Sequence, residues 1–455
     1  MREILPSGLL MTWYGDDFTG SAAVMEALTF AGLPSILFFD TPTPAQLARF
    51  PGVRGLGIAS TARSHGPDWM AANMPMPLAF LAGLNAPFLH YKICSTLDSA
   101  RHVGNIGVAI DLALQARPSK GIPFLTAAPR MRRYQAFGHL FAGTPQGVFR
   151  LDRHPVMSQH PVTPMGESDV LRHLATQTDL PSALLDLEVL ADPHTAQTAL
   201  NSALKTARLL SFDTMTTDTD AAAGQLIWQN RDRLRLLVGS QGIEYALVEH
   251  WQREGLIPTA SPTPSAGEVA QIAVVSGSVS PTTAAQIEWS AANGFGLVRL
   301  NAARLLRTVE AAKAEAEATQ AALALIEQGQ SPLILTAAGP ADPAVAAFRT
   351  ALTQSKITPE AANQGIGESL GRVLDATLRA SKIRRAVISG GDTSGHGARQ
   401  LGLFALSARA PTIPGAALFT AHGDGAHDGL QLALKGGQMG SADYFGWIRQ
   451  GGGAR

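Results

Sequence analysis

Short apolar stretches of strand length alternate with helical patterns along almost the whole chain of 455 residues, and this alternation restricts the possible folds more than any other feature. Residues 9–14, 35–39, 53–58, 88–92 and 123–126 are apolar runs bounded by Gly, Pro or charge, with helical spacing at 21–31 and 105–115 between them. Further signals lie at 209–213, 234–238 and 243–251. Strand candidates then follow at 272–275, 296–300, 332–335, 386–388 and 417–419, separated by Ala-rich helices near 302–328 and 367–380. A strand, a crossover helix and a second strand close most readily as a parallel pair. The pattern therefore predicts an α/β fold with mostly parallel sheets flanked by helices.

With 45% hydrophobic and 16% charged residues, the chain can bury two cores of ordinary domain size. The stretch GLIPTASPTPSAG at 255–267 holds three prolines and few apolar side chains, so it is expected to link an N-terminal domain, 1–254, to a C-terminal domain, 268–455. The His- and Pro-rich 152–164 segment reads as an irregular surface loop, and 451–455 as a frayed tail. Lys plus Arg equals Asp plus Glu at 36 each, without a long basic run. That balance argues against a nucleic-acid or membrane-surface partner and for a small molecule. Apolar runs of strand length are too short to span a bilayer. The single Cys94 rules out an intramolecular disulfide framework, and residues 1–8 lack a charged leader followed by an apolar core. A reducing cytoplasm is the expected setting. A homodimer is expected only as the commonest oligomer.

Open α/β sheets bind ligands at the carboxyl ends of their strands, and six motifs fall at such ends. WYGDDFTGS (13–21) places Asp16 and Asp17 before a helix, where one can cap it and the other accept a hydroxyl proton or help hold a metal. Thr61 with Arg63, and KICSTLDS (92–99) followed by GNIG (104–107), bring a guanidinium and an ammonium to neighbouring strand ends. Arg offers a fork and Lys a point charge to a small carboxylate, although surface charge at loop tips looks the same in sequence. SGSVSPTT (276–283), GGDTSG (390–395) and LKGGQMG (434–440) are turns of glycines and hydroxyls at three strand ends in the second half. Backbone N–H groups at such helix starts can face an anion.

Familiar nucleotide signatures are absent: neither a G-x-x-x-x-G-K-[ST] loop nor a dinucleotide fingerprint occurs. His422, Asp424, His427 and Asp428 have ligand chemistry, but their Gly-rich setting favours a solvated turn. His154 and His160 sit in a repeated His-Pro-Val unit that suits a structural role as well as a catalytic one.

YGDDFTGS, KICSTLDS with GNIG, SGSVSPTT, GGDTSG and LKGGQMG, followed by DYF (443–445), together resemble the four-carbon acid sugar kinase family, in family order over nearly the whole chain. The resemblance implies ATP- and Mg2+-dependent phosphorylation of a small sugar acid of tetronate or 3-oxo-tetronate type, with the active site in the cleft between an acid-binding and a nucleotide-binding domain. Carried over by residue, Asp16, Asp17, Arg63, Lys92 and Ser95 line the acid site. Ser276, Ser278, Gly391, Asp392, Thr393, Ser394 and Gly437 contact ATP. Asp17 is the expected base, with Asp392 its rival as base or metal ligand. The chain departs from the common pattern at Phe18, at Cys94 and by an insertion at 99–103, all beside the acid site. These departures, and similarity to a branch resembling 3-oxo-isoapionate kinases, make a branched acid the alternative substrate. Arg130, Arg132 and Arg133 in the 129–141 segment either face that substrate or form a solvated basic turn. A non-catalytic sensor of acid and nucleotide is the reading from a different class.

Overall fold

The computed structural model describes residues 4–144, 146–160, 162–259 and 261–455, apart from the side chain of Asp392. They form two compact units, Met1–Ser261 and Pro262–Arg455.

In the first unit, β1 (Met11–Gly15), β2 (Ser35–Phe38), β3 (Gly55–Ala59), β4 (Phe88–Lys92) and β5 (Ile122–Leu125) are mostly apolar and are buried along their whole length. Burial on both faces is what a parallel sheet covered by helices requires. A small antiparallel sheet follows, made of β6 (Arg133–Ala136), β7 (His139–Thr144) and β8 (Gly147–Arg150). The main sheet is completed by β9 (Ser182–Leu185), β10 (Leu209–Phe212) and β11 (Leu236–Gly239), in the order β2-β3-β1-β4-β11-β5-β10-β9, with every pair parallel. The chain winds from β1 outward to β2, back to β3, and then crosses to β4 on the other side of β1. The sheet order therefore reverses at the carboxyl end of β1.

The second unit repeats this wind. Strands β12 (Ala273–Ser276), β13 (Phe295–Arg299), β14 (Ser331–Leu335) and β15 (Arg385–Ser389) lie in the order β13-β14-β12-β15, so its reversal falls at the carboxyl ends of β12 and β15. The three strands β16 (Leu403–Ala410), β17 (Leu418–Gly423) and β18 (Gln431–Lys435) extend the sheet beyond β15, with β18 parallel to β15 and β17 antiparallel to both its neighbours. Ile272, Val274, Leu333, Leu335, Val387 and Ala433 project from one face into a core closed by Ile287, Tyr444, Phe445 and Ile448.

Several expectations need correction. The terminal 451–455 segment is not frayed: Ala266 N donates to Gly451 O, Gly453 N donates to Pro411 O, and Arg455 lies over the Trp447 ring while pairing with Asp443. Glycine makes this return possible, because residues 451, 452 and 453 all have positive φ. The 422–428 segment is not simply solvated. His427 is buried, with Nε2 2.6 Å from Asp375 Oδ1, and His422 Nε2 lies 2.9 Å from Ser407 Oγ. No cluster of three or more potential metal ligands occurs among the described residues. In 152–164, His154 and His160 serve the backbone: His154 Nδ1 accepts from Val156 N and Met157 N, and His160 Nδ1 accepts from Thr163 N. Among the described residues, no helix is long and apolar enough to cross a membrane.

Candidate active site

Strand β1 ends at Gly15, and helix Phe18–Thr29 begins with Asp17 as its cap, Asp17 Oδ1 accepting from Gly20 N at 2.9 Å. The neighbouring carboxylate, Asp16, is anchored by its own N–H to Lys92 O at the end of β4. Arg63, in the turn after β3, donates its own N–H to Asp16 O and wraps both carboxylates. Its Nε and Nη2 reach Asp16 Oδ2 and Oδ1 at 3.1 and 2.7 Å, and Nη1 reaches Asp17 Oδ2 at 3.1 Å. Three loops separated by up to 76 residues of sequence thus meet at the reversal point of the first sheet.

One carboxylate was expected to be free once the other capped the helix. The structure leaves neither free, since Arg63 holds both. Their electrostatics nonetheless differ. Burial raises the pKa of Asp16 and, despite Arg63, it remains above the usual carboxylate range. Burial also opposes ionisation of Asp17, but Arg63, Lys92 and hydrogen bonds from Thr19 and Gly20 outweigh it and hold this carboxyl below the usual range. Arg63 is itself desolvated, yet the two aspartates raise its pKa well above normal. Asp17 is therefore the more readily ionised of the two carboxylates.

Lys92 is fully buried, and its Nζ donates to Ile93 O at 2.5 Å. A Cβ at Gly20 would lie 2.6 Å from this Nζ and 2.3 Å from Asp17 Oδ1, so the helix start, the ammonium and the carboxylate crowd one point. Ser95 sits in the half-exposed turn after β4, and Cys94 Sγ lies 3.1 Å from Thr96 Oγ1. Of the three arginines at 129–141, Arg130 pairs with Glu249 and Arg132 donates to Thr144 O. Arg133 donates through Nη1 to the carbonyls of Met131, Arg132 and Gly143, while its buried Nε has no partner among the described residues. This segment is part of a small sheet, not a bare basic turn.

In the second unit the three Gly-rich motifs converge at the other reversal point. Gly277 N donates to Ser389 O, and Gly390 N to Lys435 O. Gly390 has φ +130°, and a Cβ there would lie 2.7 Å from Thr393 Oγ1, so only glycine fits this entry to helix Gly391–Gln400. Its N-cap residue, Gly390, has no side chain with which to cap the helix. The N–H groups of a helix's first turn have no intrahelical partner and suit an anion. A Cβ at Gly437 would lie 2.4 Å from Ser278 Oγ, and Gly437 O accepts from Ser280 Oγ and Thr283 Oγ1 at 2.5 and 3.0 Å. Ser276 is fully buried, and its hydroxyl has no partner among the described residues. Ser394 turns inward, donating to Gly390 O and Ile388 O. The side chain of Asp392 lies outside the described residues.

Sequence reasoning did not select Lys435, Thr283, Ser389 or Gly20. Lys435 was visible as the one charge inside LKGGQMG, but its neighbours depend on strand register, which the motif does not contain.

Residues 11–247 match the family described as a sugar-binding N-terminal domain, and residues 273–445 match a nucleotide-binding C-terminal domain. The chain is 42% identical over 447 residues to a 3-oxo-isoapionate kinase of Paraburkholderia graminis, covering 98% of this chain and 95% of that one. It is 28% identical to a 3-oxo-tetronate kinase of Pseudomonas fluorescens, with 96% and 95% covered. Among solved structures, a Salmonella typhimurium LT2 protein described as a tRNA synthase superposes with a TM-score of 0.77 at 24% identity, covering 96% of this chain and 98% of that one. A Haemophilus influenzae protein superposes at 0.70 and 20% identity, covering 96% and 99%. At these identities the two structures speak to the fold alone.

Proposed function

Because this chain belongs to the four-carbon acid sugar kinase family, it is an ATP-dependent sugar-acid kinase, and we propose that its first unit holds the acid and its second the nucleotide. The observation that carries this division is the Asp17 carboxylate, kept ionised by Arg63 and Lys92 at the reversal point of the first sheet. In phosphoryl transfer the protein's work is mostly positioning and electrostatic stabilisation, and the bond to the incoming oxygen forms late. Asp17 then orients the attacking hydroxyl and takes its proton as that oxygen bonds to phosphorus. A low pKa is no handicap to this role, because the proton moves when the hydroxyl has already become acidic.

Arg63 and Lys92 carry two positive charges against the two aspartates, so the four side chains sum to zero. A substrate carboxylate needs a further donor. Arg133, whose buried Nε has no partner among the described residues, fits that need. Ser95, at the half-exposed turn after β4, offers a hydroxyl to the same ligand.

In the second unit, Ser276, Ser278, Gly391, Thr393 and Gly437 are the proposed nucleotide contacts. The uncapped helix start at Gly391 and the unpartnered Ser276 hydroxyl suit phosphate oxygens. Mg2+ would neutralise charge on the transferring group and be held largely by the phosphates themselves. A cytoplasmic setting fits a metabolic kinase with one free cysteine.

The substrate we propose is a branched 3-oxo acid of the 3-oxo-isoapionate type, favoured by 42% identity to such a kinase against 28% to a 3-oxo-tetronate kinase. A linear 3-oxo-tetronate is the second reading. Coupled ADP release across 3-oxo-isoapionate, 3-oxo-tetronates, threonate and erythronate is the test. At least tenfold higher kcat/KM for the branched acid is expected. Preference for a linear tetronate would replace the first reading with the second.

A further inference from the structure

The carboxyl ends of three adjacent strands in the second unit carry a polar row only partly used above. Strand register pairs Ser276 with Ser389 across β12 and β15, and Ser389 with Lys435 across β15 and β18. Residues in register on parallel strands project from the same face. The three side chains therefore form one line, at the end of a face that continues through the apolar Val274, Val387 and Ala433. All three are fully buried. The Ser276 and Ser389 hydroxyls have no partner among the described residues. Among the described residues, Lys435 Nζ meets only neutral oxygens: Gly436 O at 3.0 Å, Thr283 Oγ1 at 3.4 Å and Gly437 O at 3.5 Å.

Two of those contacts are long for hydrogen bonds, and no carboxylate joins them among the described residues. A buried ammonium without a counter-charge is expensive to maintain, and burial accordingly lowers its pKa to about 7. If the lysine merely braced the Gly436-Gly437 turn, a neutral donor would serve without that cost. One desolvated cation and two orphan hydroxyls, aligned beside the first turn of helix Pro281–Ala291, make a donor set suited to an anion.

We propose that Lys435 binds the phosphoryl oxygens of the nucleotide, with the hydroxyls of Ser276 and Ser389 as fellow donors. The inference rests on the second unit being the nucleotide site. Lys435 supplies the one full positive charge of this donor row and fixes the donor phosphate against the sheet.

The test compares calorimetric affinities for ADP and for adenosine, which lacks phosphate, in wild type, Lys435→Met, Lys435→Arg and Ser389→Ala. Lys435→Met is expected to weaken ADP at least tenfold with adenosine changed less than twofold, and Lys435→Arg to recover part of the loss. Ser389→Ala is expected to weaken ADP about threefold while its thermal midpoint holds or rises, since it removes an unsatisfied buried hydroxyl. Wild-type ADP affinity in Lys435→Met, or equal loss of ADP and adenosine in a folded variant, would overturn the proposal. Should Lys435→Met not fold, unchanged ADP affinity in Ser389→Ala overturns it instead. Wild-type protein that binds no ADP at all would refute the nucleotide reading of this unit, and this inference with it.

Discussion

Arg63 grips Asp16 through two nitrogens, Nε to Oδ2 at 3.1 Å and Nη2 to Oδ1 at 2.7 Å, and this fork joins the turn after β3 to the end of β1. Lysine cannot reproduce a bidentate contact that also reaches Asp17. Arg63→Lys should reduce kcat/KM for the acid by about 100-fold. Arg63→Ala, which leaves two carboxylates in a buried site without their guanidinium, should also destabilise the chain by about 3 kcal/mol. Chemical denaturation alongside steady-state kinetics separates the two effects.

Asp17→Asn keeps a side-chain oxygen for Gly20 N, and asparagine caps helices as well as aspartate. The variant should remain folded, with its ATP KM within twofold of wild type. Its kcat should drop by roughly 10²- to 10⁴-fold, the range for loss of a positioned base. Near-normal turnover would remove Asp17 from the mechanism and turn attention to Asp392.

Gly20→Ala raises helix propensity, so a purely local view predicts a mild gain. The added methyl would instead meet Asp17 Oδ1 and Lys92 Nζ inside contact distance. Acid KM should rise at least tenfold while ADP affinity, measured by calorimetry, stays unchanged. Equal loss of both ligands would indicate a damaged fold.

Asp220 is buried, with neither carboxylate oxygen partnered among the described residues, and burial raises its pKa to about 7. Its folded pKa exceeds the ordinary value of 3.8. Between these values the folded state keeps a proton that the unfolded state has lost, so stability falls as pH rises through this window and levels off above about 7. Asp220→Asn should therefore raise the melting midpoint clearly at pH 8 and little at pH 4. A rise of the same size at both pH values would contradict the assignment.

The fold was legible where strands are apolar on both faces. Segments such as 55–59 and 236–239 announce themselves because parallel strands under helices are apolar on both faces. Strands β6, β7 and β8 escaped notice because an exposed antiparallel sheet with Arg133, His139 and Arg150 has no such signature. The terminal glycines gave the wrong impression for a related reason. Composition at a chain end reports local freedom, whereas the hydrogen bonds from Ala266 and to Pro411 that fix this tail come from distant sequence.

Sequence alone determined which residue types stand at the strand ends: the paired aspartates, the glycine turns and the single ammonium of each half's closing motif. It also set the order of strands and helices, since hydrophobic period is a local property. Tertiary structure decided what those residues do to one another. Arg63 binds both aspartates, and Lys435 lines up with Ser389 and Ser276, only because parallel strands far apart in the chain lie side by side in one register. Burial, which sets how costly each charge is and how readily each carboxylate ionises, exists only once those strands have packed.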